Sequence, residues 1–174
     1  MGFLIYKVFI RKYRMPKYIV TNSQIDRIAE NLKEQSKIDL TKVDYKNLNS
    51  KQQESYNFHK VSAILADYGY FPIRLSDDWQ SADFLCQKCT DHSFIKVQLK
   101  GRLTFSKKYL GKDLFICFQD KNDGQWYLYS HDDLLNNILE DSNIGNTSSW
   151  IDQGQWSNNK LTKKEKSKLE RYKL

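Results

Sequence analysis

The feature that most constrains the fold is FIKVQLK at residues 94–100, where apolar and polar residues alternate from Ile95 onward. A period of two is typical of a β-strand with one buried face. The stretch ADFLCQ at residues 82–87 is also strand-like, and a short polar segment joins the two. The pattern predicts an antiparallel hairpin.

The register of this hairpin follows from its apolar residues. If the turn centres on Thr90 and Asp91, the apolar residues of both strands share one face, and Asp83 lies directly opposite Gln98 on the other face. A slip of one residue would send Asp83 into the core. The apolar pattern therefore supports this register.

Helical patterns come before the strands. A short amphipathic helix is expected after Ser23, and a second helix begins at Ser50, where Gln53 completes a capping box. The second helix ends at Gly69. Its apolar stripe consists of Phe58, Val61, Leu65 and Tyr68. Glu54 falls four residues before the first of these, so we expect it at the start of the core-facing stripe.

Short strands dominate the rest of the chain. Besides the hairpin, YFPIRL, LFICFQ and WYLY have strand character, and a helix is expected after Ser130. The order predicts an α/β or α+β fold with a central mixed sheet, built of antiparallel hairpins and flanked by helices. We expect one compact domain: an N-terminal extension with a short helix over residues 1–49, a core over 50–140, and a polar loop with a basic, solvated tail over 141–174.

Charge is concentrated at the two ends. The net charge is +7, but residues 1–18 and residues 160–174 each contribute +5, which leaves the body slightly acidic. A basic patch favours a polyanionic partner only where it is concentrated. The overall charge is therefore weak support for nucleic-acid binding.

The three cysteines and the apolar stretch near the N-terminus bear on the cellular location of the protein. An odd number of cysteines without a secretory signal favours a reducing, cytoplasmic location. The stretch GFLIYKVFI is shorter than the ~20 apolar residues that span a bilayer, so no membrane association is expected. It is expected to form an N-terminal strand, or an extension if Met15 rather than Met1 is the natural start.

The polar face of the hairpin has the composition of a cation site. Asp83 and Gln98 offer oxygen ligands of the kind that Mg²⁺ prefers, and Lys100 is their diagonal neighbour. A lysine beside a cation can orient water and offset charge on a phosphate under attack. Glu54 could add a further carboxylate. Burying a carboxylate on an apolar stripe is costly without a partner, and a metal or Lys100 would be such a partner.

A helix with Glu54, a strand, Asp83 and then Gln98-Leu99-Lys100 on the next strand resembles the PD-(D/E)XK nuclease superfamily, which includes restriction endonucleases and Holliday junction resolvases. The resemblance covers roughly residues 50–130. It implies a restriction-endonuclease-like fold, hydrolysis of phosphodiester bonds in DNA with Mg²⁺ or Mn²⁺, and a homodimer. By position, Asp83, Gln98 and Glu54 would bind the metal, and Lys100 would serve the attacking water.

The sequence departs from that motif at two positions. Ala82 stands where the motif has proline, and Gln98 stands where it has an acid. An amide supplies an oxygen but no charge, so metal affinity is expected to fall. Arg102, Lys107 and Lys108 follow closely and are candidates for phosphate contacts, which position a substrate without reading its sequence.

Two other functions remain open. One is a nuclease-fold domain without catalysis that binds nucleic acid or a protein. The other is a zinc-stabilised interaction protein, because Cys86, Cys89 and His92 form a C-x2-C-x2-H run that lacks an evident fourth ligand. A polar face exposed to solvent would also explain Asp83, Gln98 and Lys100 without any site.

Overall fold

The computed structural model describes residues 21–34, 40–140 and 142–174. The predicted N-terminal strand at residues 2–10 lies outside this part of the chain. Within the described residues, no helix is both long and apolar enough to pass through a bilayer.

The chain divides into two units, residues 1–44 and residues 45–174. In the first unit, helix α1 spans Asn22–Glu34, which confirms the predicted first helix. Ile25 and Ile28 on this helix are each 52% exposed.

Helix α2 spans Ser50–Asp67, as predicted, but its cap lies one residue earlier than expected. The Asn49 side chain accepts the Gln52 N–H at 3.0 Å, and the Gln52 side chain accepts the Asn49 N–H at 2.9 Å. Gln53, predicted to complete the box, instead donates to the carbonyls of Tyr45 and Leu48. The box therefore moves by one residue because Gln53 has other acceptors.

The central sheet is mixed and has five strands in the order β1-β2-β3-β5-β6. Only β3 and β5 run parallel, and the other neighbours are antiparallel. A separate antiparallel ribbon contains β4 and β7. The seven strands are β1 (Tyr70–Trp79), β2 (Ala82–Lys88), β3 (Phe94–Lys100), β4 (Leu103–Ser106), β5 (Leu114–Gln119), β6 (Trp126–Ser130) and β7 (Gln155–Asn158). The predicted α+β class with a mixed sheet is confirmed.

One face of the sheet packs against α2. Val61 and Leu65 of the helix are fully buried, as are Phe84, Cys86 and Val97 of the hairpin. All five belong to one apolar cluster. The predicted apolar face of the hairpin is therefore confirmed, and it is the face that α2 covers.

A second layer covers the other face over β5 and β6. It contains the ribbon, a 3-10 turn at Lys107–Tyr109 and the helices α3 (His131–Leu139), α4 (Ser148–Ile151) and α5 (Lys163–Leu169). Ile116, Phe118 and Tyr129 of the sheet are at most 1% exposed beneath this layer. This face holds the larger of the two apolar clusters.

Three local expectations were wrong. Strand β1, expected over YFPIRL at residues 70–75, runs on to Trp79 past an irregularity in its pairing. The segment expected to be a polar loop contains α4 and β7. The basic tail is not merely solvated, because Leu169 on α5 is fully buried.

Candidate functional site

Asp83 marks the point at which β2 and β3 separate. The paired residues of this ladder run from Gln87 and Phe94 to Phe84 and Val97, which is the predicted register. Beyond the last pair, Oδ2 of Asp83 accepts the backbone N–H of Leu99 at 2.7 Å. The Asp83 carboxylate therefore takes the place of a backbone carbonyl of β2 as the acceptor for an N–H of β3.

The predicted neighbours of Asp83 converge on it. Gln98 is 7% exposed, and its Nε2 donates to Oδ2 of Asp83 at 2.5 Å. Lys100 is half-buried, two residues further along the same face of β3. Its ammonium lies 5.6 Å from the centre of the Tyr109 ring in the second layer. The sequence thus predicted the meeting of Asp83 with Gln98, while Tyr109 came from a part of the chain that we had not considered.

The protein raises the pKa of Asp83. Burial of the carboxyl group is the largest cause, and the negative charge of Glu54 acts in the same direction. The Leu99 N–H, the charge of Lys100 and the Gln98 amide lower the pKa in part. The residue as a whole is nonetheless exposed to solvent. A positive charge placed there would stabilise the ionised form.

The amide of Gln98 has a definite orientation. It presents its N–H to Asp83, so its Oε1 is not directed at that carboxylate oxygen. Binding a cation between the two side chains requires the opposite orientation, with Oε1 toward the cation. Gln98 therefore acts as a donor to Asp83 in this arrangement.

Glu54 does not lie on a buried stripe, which corrects the sequence expectation. Its side chain is 60% exposed and forms an ion pair with Arg74 of β1, with Oε1 and Nη2 2.6 Å apart. The Arg74 guanidinium also lies 5.2 Å from the centre of the Phe58 ring. Arginine, rather than a metal or Lys100, is the partner of this carboxylate. Glu54 acts on Asp83 through its charge.

The three predicted phosphate contacts occupy different places. Lys108 lies 4.9 Å from the centre of the Tyr109 ring, so it is brought near Lys100. Lys107 instead donates to the Ile151 carbonyl at 3.4 Å and lies over Trp150, in the second layer. Arg102 is exposed beside a cavity of about 250 Å³. Lys108 therefore shares the Tyr109 ring with Lys100, whereas Lys107 lies against α4.

A second cavity, of about 300 Å³, opens beside Lys100 and Gly101. The side chains that sequence reasoning missed here are Tyr45, Tyr56, Asn57, Gln119, Lys121 and Trp126. Gln119 and Lys121 could have been anticipated from a parallel β5, because the ends of parallel strands meet at one edge of a sheet. The sequence did not show that β5 is the strand parallel to β3.

The proposed zinc ligands do not come together. Cys86 is buried under α2, while Cys89 and His92 are exposed around the hairpin turn. Burial raises the pKa of the Cys86 thiol to about 12, which opposes the thiolate that zinc requires. Among residues 21–34, 40–140 and 142–174, no group of three His, Cys, Asp or Glu side chains could hold a metal ion.

The chain was compared with protein-family models, curated proteins and solved structures. No family model, no curated protein and no solved structure matches it.

Proposed function

We propose that this protein is a metal-dependent nuclease of the PD-(D/E)XK type with a restriction-endonuclease-like fold, and that it hydrolyses phosphodiester bonds, with DNA as the first substrate to test. The observation that carries the proposal is the contact between Asp83 and Gln98 where β2 and β3 separate, with Lys100 on the same face. Nucleic acid as the partner and a homodimer belong to the same proposal, since both follow from the resemblance.

The donor set suits a cation that needs few protein ligands. Mg²⁺ keeps several waters and is bound through one or two carboxylates together with substrate phosphates. Oδ1 of Asp83 accepts no hydrogen bond from the described residues, which leaves it available as a ligand. Asp83 would hold Mg²⁺ or Mn²⁺ there together with Gln98, whose amide would turn over to bring Oε1 toward the cation. The cation would supply Lewis-acid polarisation of the phosphate and a lowered pKa for bound water.

The position of Lys100 beside Asp83 supports a role in the proposed reaction. Its charge acts on Asp83, so a phosphate held beside Asp83 comes within the influence of the ammonium. There it offsets the negative charge that builds up on the phosphate and orients the attacking water. Glu54 has a supporting role, because its negative charge acts on the Asp83 site and would add to the attraction for a cation.

One observation favours a second function, a nuclease-fold domain that binds nucleic acid or a protein without cutting. The amide of Gln98 and the N–H of Leu99 already satisfy Oδ2 of Asp83 without any cation. An acid at position 98 would instead repel Asp83 unless a cation lay between them.

The test is cleavage of plasmid, branched DNA, single-stranded DNA and RNA in Mg²⁺ and in Mn²⁺. We expect Asp83→Ala and Lys100→Ala each to slow cutting by about 100-fold or more. Asp91→Ala and Lys88→Ala are matched controls, since both residues lie in the same hairpin and away from the site. Cutting that the site variants retain would contradict the proposal.

A second measurement separates the two functions without relying on activity. Gln98→Glu places two carboxylates together, so added Mg²⁺ should raise the melting temperature of this variant more than that of the wild type. If Mg²⁺ leaves the melting temperatures of both proteins unchanged and no nucleic acid is cut, the domain is a binding module.

A further inference from the structure

The second face of the sheet is open over β1, β2 and β3. Residues that pair directly across strands point to the same face. Phe71 pairs with Gln87, which pairs with Phe94, and Ile73 pairs with Leu85, which pairs with Lys96. We call these six side chains the open face. Asp83 and Gln98 form the next row of the same face.

The open face exposes apolar side chains. Phe71 is 54% exposed, Ile73 49% and Phe94 54%, whereas Phe84 and Val97 on the opposite face are fully buried. Within residues 45–174, the second layer covers β5 and β6 but leaves these side chains in contact with solvent. A grouped apolar surface of this kind is typical of a binding site.

Phe71 and Phe94 occupy the same row, with one strand between them. Neighbouring strands are ≈ 4.8 Å apart, so the two rings stand about 10 Å apart on one flat surface. About half of the surface of each residue is exposed, which leaves aromatic surface available to a planar ligand.

Lysines surround this surface on the side toward Asp83. Lys96 belongs to the open face, and its ammonium donates to Gln80 at 3.0 Å. Lys112 donates to Ser81 at 2.9 Å, so it lies at the same β1–β2 turn. Lys108 lies further along, over Tyr109. The open face itself contains no acidic side chain, so its charge complements a polyanion.

We propose that the open face binds single-stranded nucleic acid, with bases stacked on Phe71 and Phe94 and phosphates near Lys96, Lys108 and Lys112. Aromatic rings beside cations bind unpaired bases in this way. A duplex hides the faces of its bases inside the stack and would leave the two rings unused. The inference rests on the proposed function, because it gives the Asp83 site a single strand as its substrate.

The test is binding without cutting. Fluorescence anisotropy of labelled oligothymidylate, oligouridylate and a duplex of equal length is measured in EDTA, which prevents metal-dependent cleavage. We expect the single strands to bind more tightly than the duplex, and Phe71→Ala and Phe94→Ala each to weaken their binding by about tenfold. The two single strands distinguish DNA from RNA as the source of the bases.

Controls separate stacking from loss of structure. Tyr68→Ala removes an aromatic ring that is 53% exposed at the end of α2, and it should leave affinity unchanged. Lys96→Ala should reduce the slope of log affinity against log salt by about 1. Melting temperatures of the phenylalanine variants should match the wild type, because both rings are exposed.

Three results would overturn the inference. These are equal binding of duplex and single strand, phenylalanine variants that bind like the wild type, and a wild-type dimer that these variants convert to a monomer. The last result would make the open face an interface between copies. If binding depends on the two phenylalanine rings but the protein cuts nothing in Mg²⁺ or Mn²⁺, the inference is supported and the proposed function is contradicted. If the protein cuts nucleic acid but binding does not depend on the rings, the inference alone is contradicted.

Discussion

One face of the central sheet has two regions: a second layer of the protein buries one of them, and the other is exposed to solvent. Ile116, Phe118 and Tyr129 on β5 and β6 are at most 1% exposed, whereas Phe71 and Phe94 on β1 and β3 are each 54% exposed. All of these residues are apolar and lie on regular strands. The difference arises because the second layer, built by the chain after β3, packs mainly over β5 and β6 and meets β1 and β2 at Leu75 and Ala82, not at Phe71 or Phe94. Apolar character in a strand therefore does not by itself indicate whether a residue stabilises the fold or forms a surface.

The largest expected effect comes from a matched pair of phenylalanines. Phe118→Ala should lower the free energy of unfolding by about 3–5 kcal/mol, because it leaves a cavity in a packed core. Phe94→Ala should change it by less than about 0.5 kcal/mol, since the ring is half exposed. Urea denaturation followed by tryptophan fluorescence measures both. Equal losses would show that the open face is covered in solution.

The C-terminal helix tests whether the second layer is essential. Leu169→Ala should cost about 2–5 kcal/mol, because Leu169 is fully buried in the cluster beneath that layer. Ile151→Ala is the control, since Ile151 is 57% exposed in α4. If chemical denaturation finds the two variants equally stable, the basic tail is the solvated segment that its sequence suggested.

His131 makes the covered region sensitive to pH. Its Nε2 accepts the Ser106 N–H at 3.1 Å, and Nδ1 lies 2.6 Å from Asp132. Burial lowers the pKa of His131, in part offset by Asp132. As pH falls, His131 therefore takes up a proton in the unfolded chain before it does so in the folded protein. At pH values below about 6.5 the free energy of unfolding decreases, by at most about 1.4 kcal/mol per pH unit.

Denaturation at pH 7.5 and pH 5.5 checks this expectation. The His131→Gln variant should be less stable than the wild type at pH 7.5. Its free energy of unfolding should decrease less than that of the wild type between pH 7.5 and pH 5.5. His59→Gln, at an exposed position, should keep the wild-type decrease in full. An unchanged decrease in His131→Gln would show that other groups cause it.

The smallest expected effect concerns an ion pair on the side of the sheet opposite the open face. Arg74 and Glu54 form an ion pair, but their side chains are 39% and 60% exposed. Such pairs contribute about 0–1 kcal/mol, so Glu54→Gln should barely change stability. It should lower the pKa of Asp83, because it removes a negative charge that raises that pKa. Titration of the Asp83 carboxyl by NMR measures the shift, and an upward shift would contradict the assignment.

The hairpin of β2 and β3 was predictable because its apolar residues occupy a single face. A shift of one residue would have buried Asp83, so the register and the contact with Gln98 followed from local sequence. The position of Lys100 on the same face followed as well. Helix α2 was predictable from its apolar spacing, apart from the one-residue shift of its cap.

The environment of these residues was not predictable. The spacing of Glu54 suggested burial, but its partner Arg74 comes from a strand 20 residues away. Tyr109 and Lys108 reach the site through the connection between β3 and β5, whose path depends on packing of the second layer. Leu169 reads as part of a basic tail, yet it fills the core from the far end of the chain.

The sequence by itself determined the five strands of the central sheet, the apolar face of the hairpin and the meeting of Asp83 with Gln98 and Lys100, because these depend on the two-residue period and on contacts within a short hairpin. Only the tertiary structure decided which part of the sheet is covered, where Tyr109 lies and where Glu54 finds its partner. These features depend on contacts between distant segments, which form wherever burial of apolar surface and pairing of charge are most favourable together.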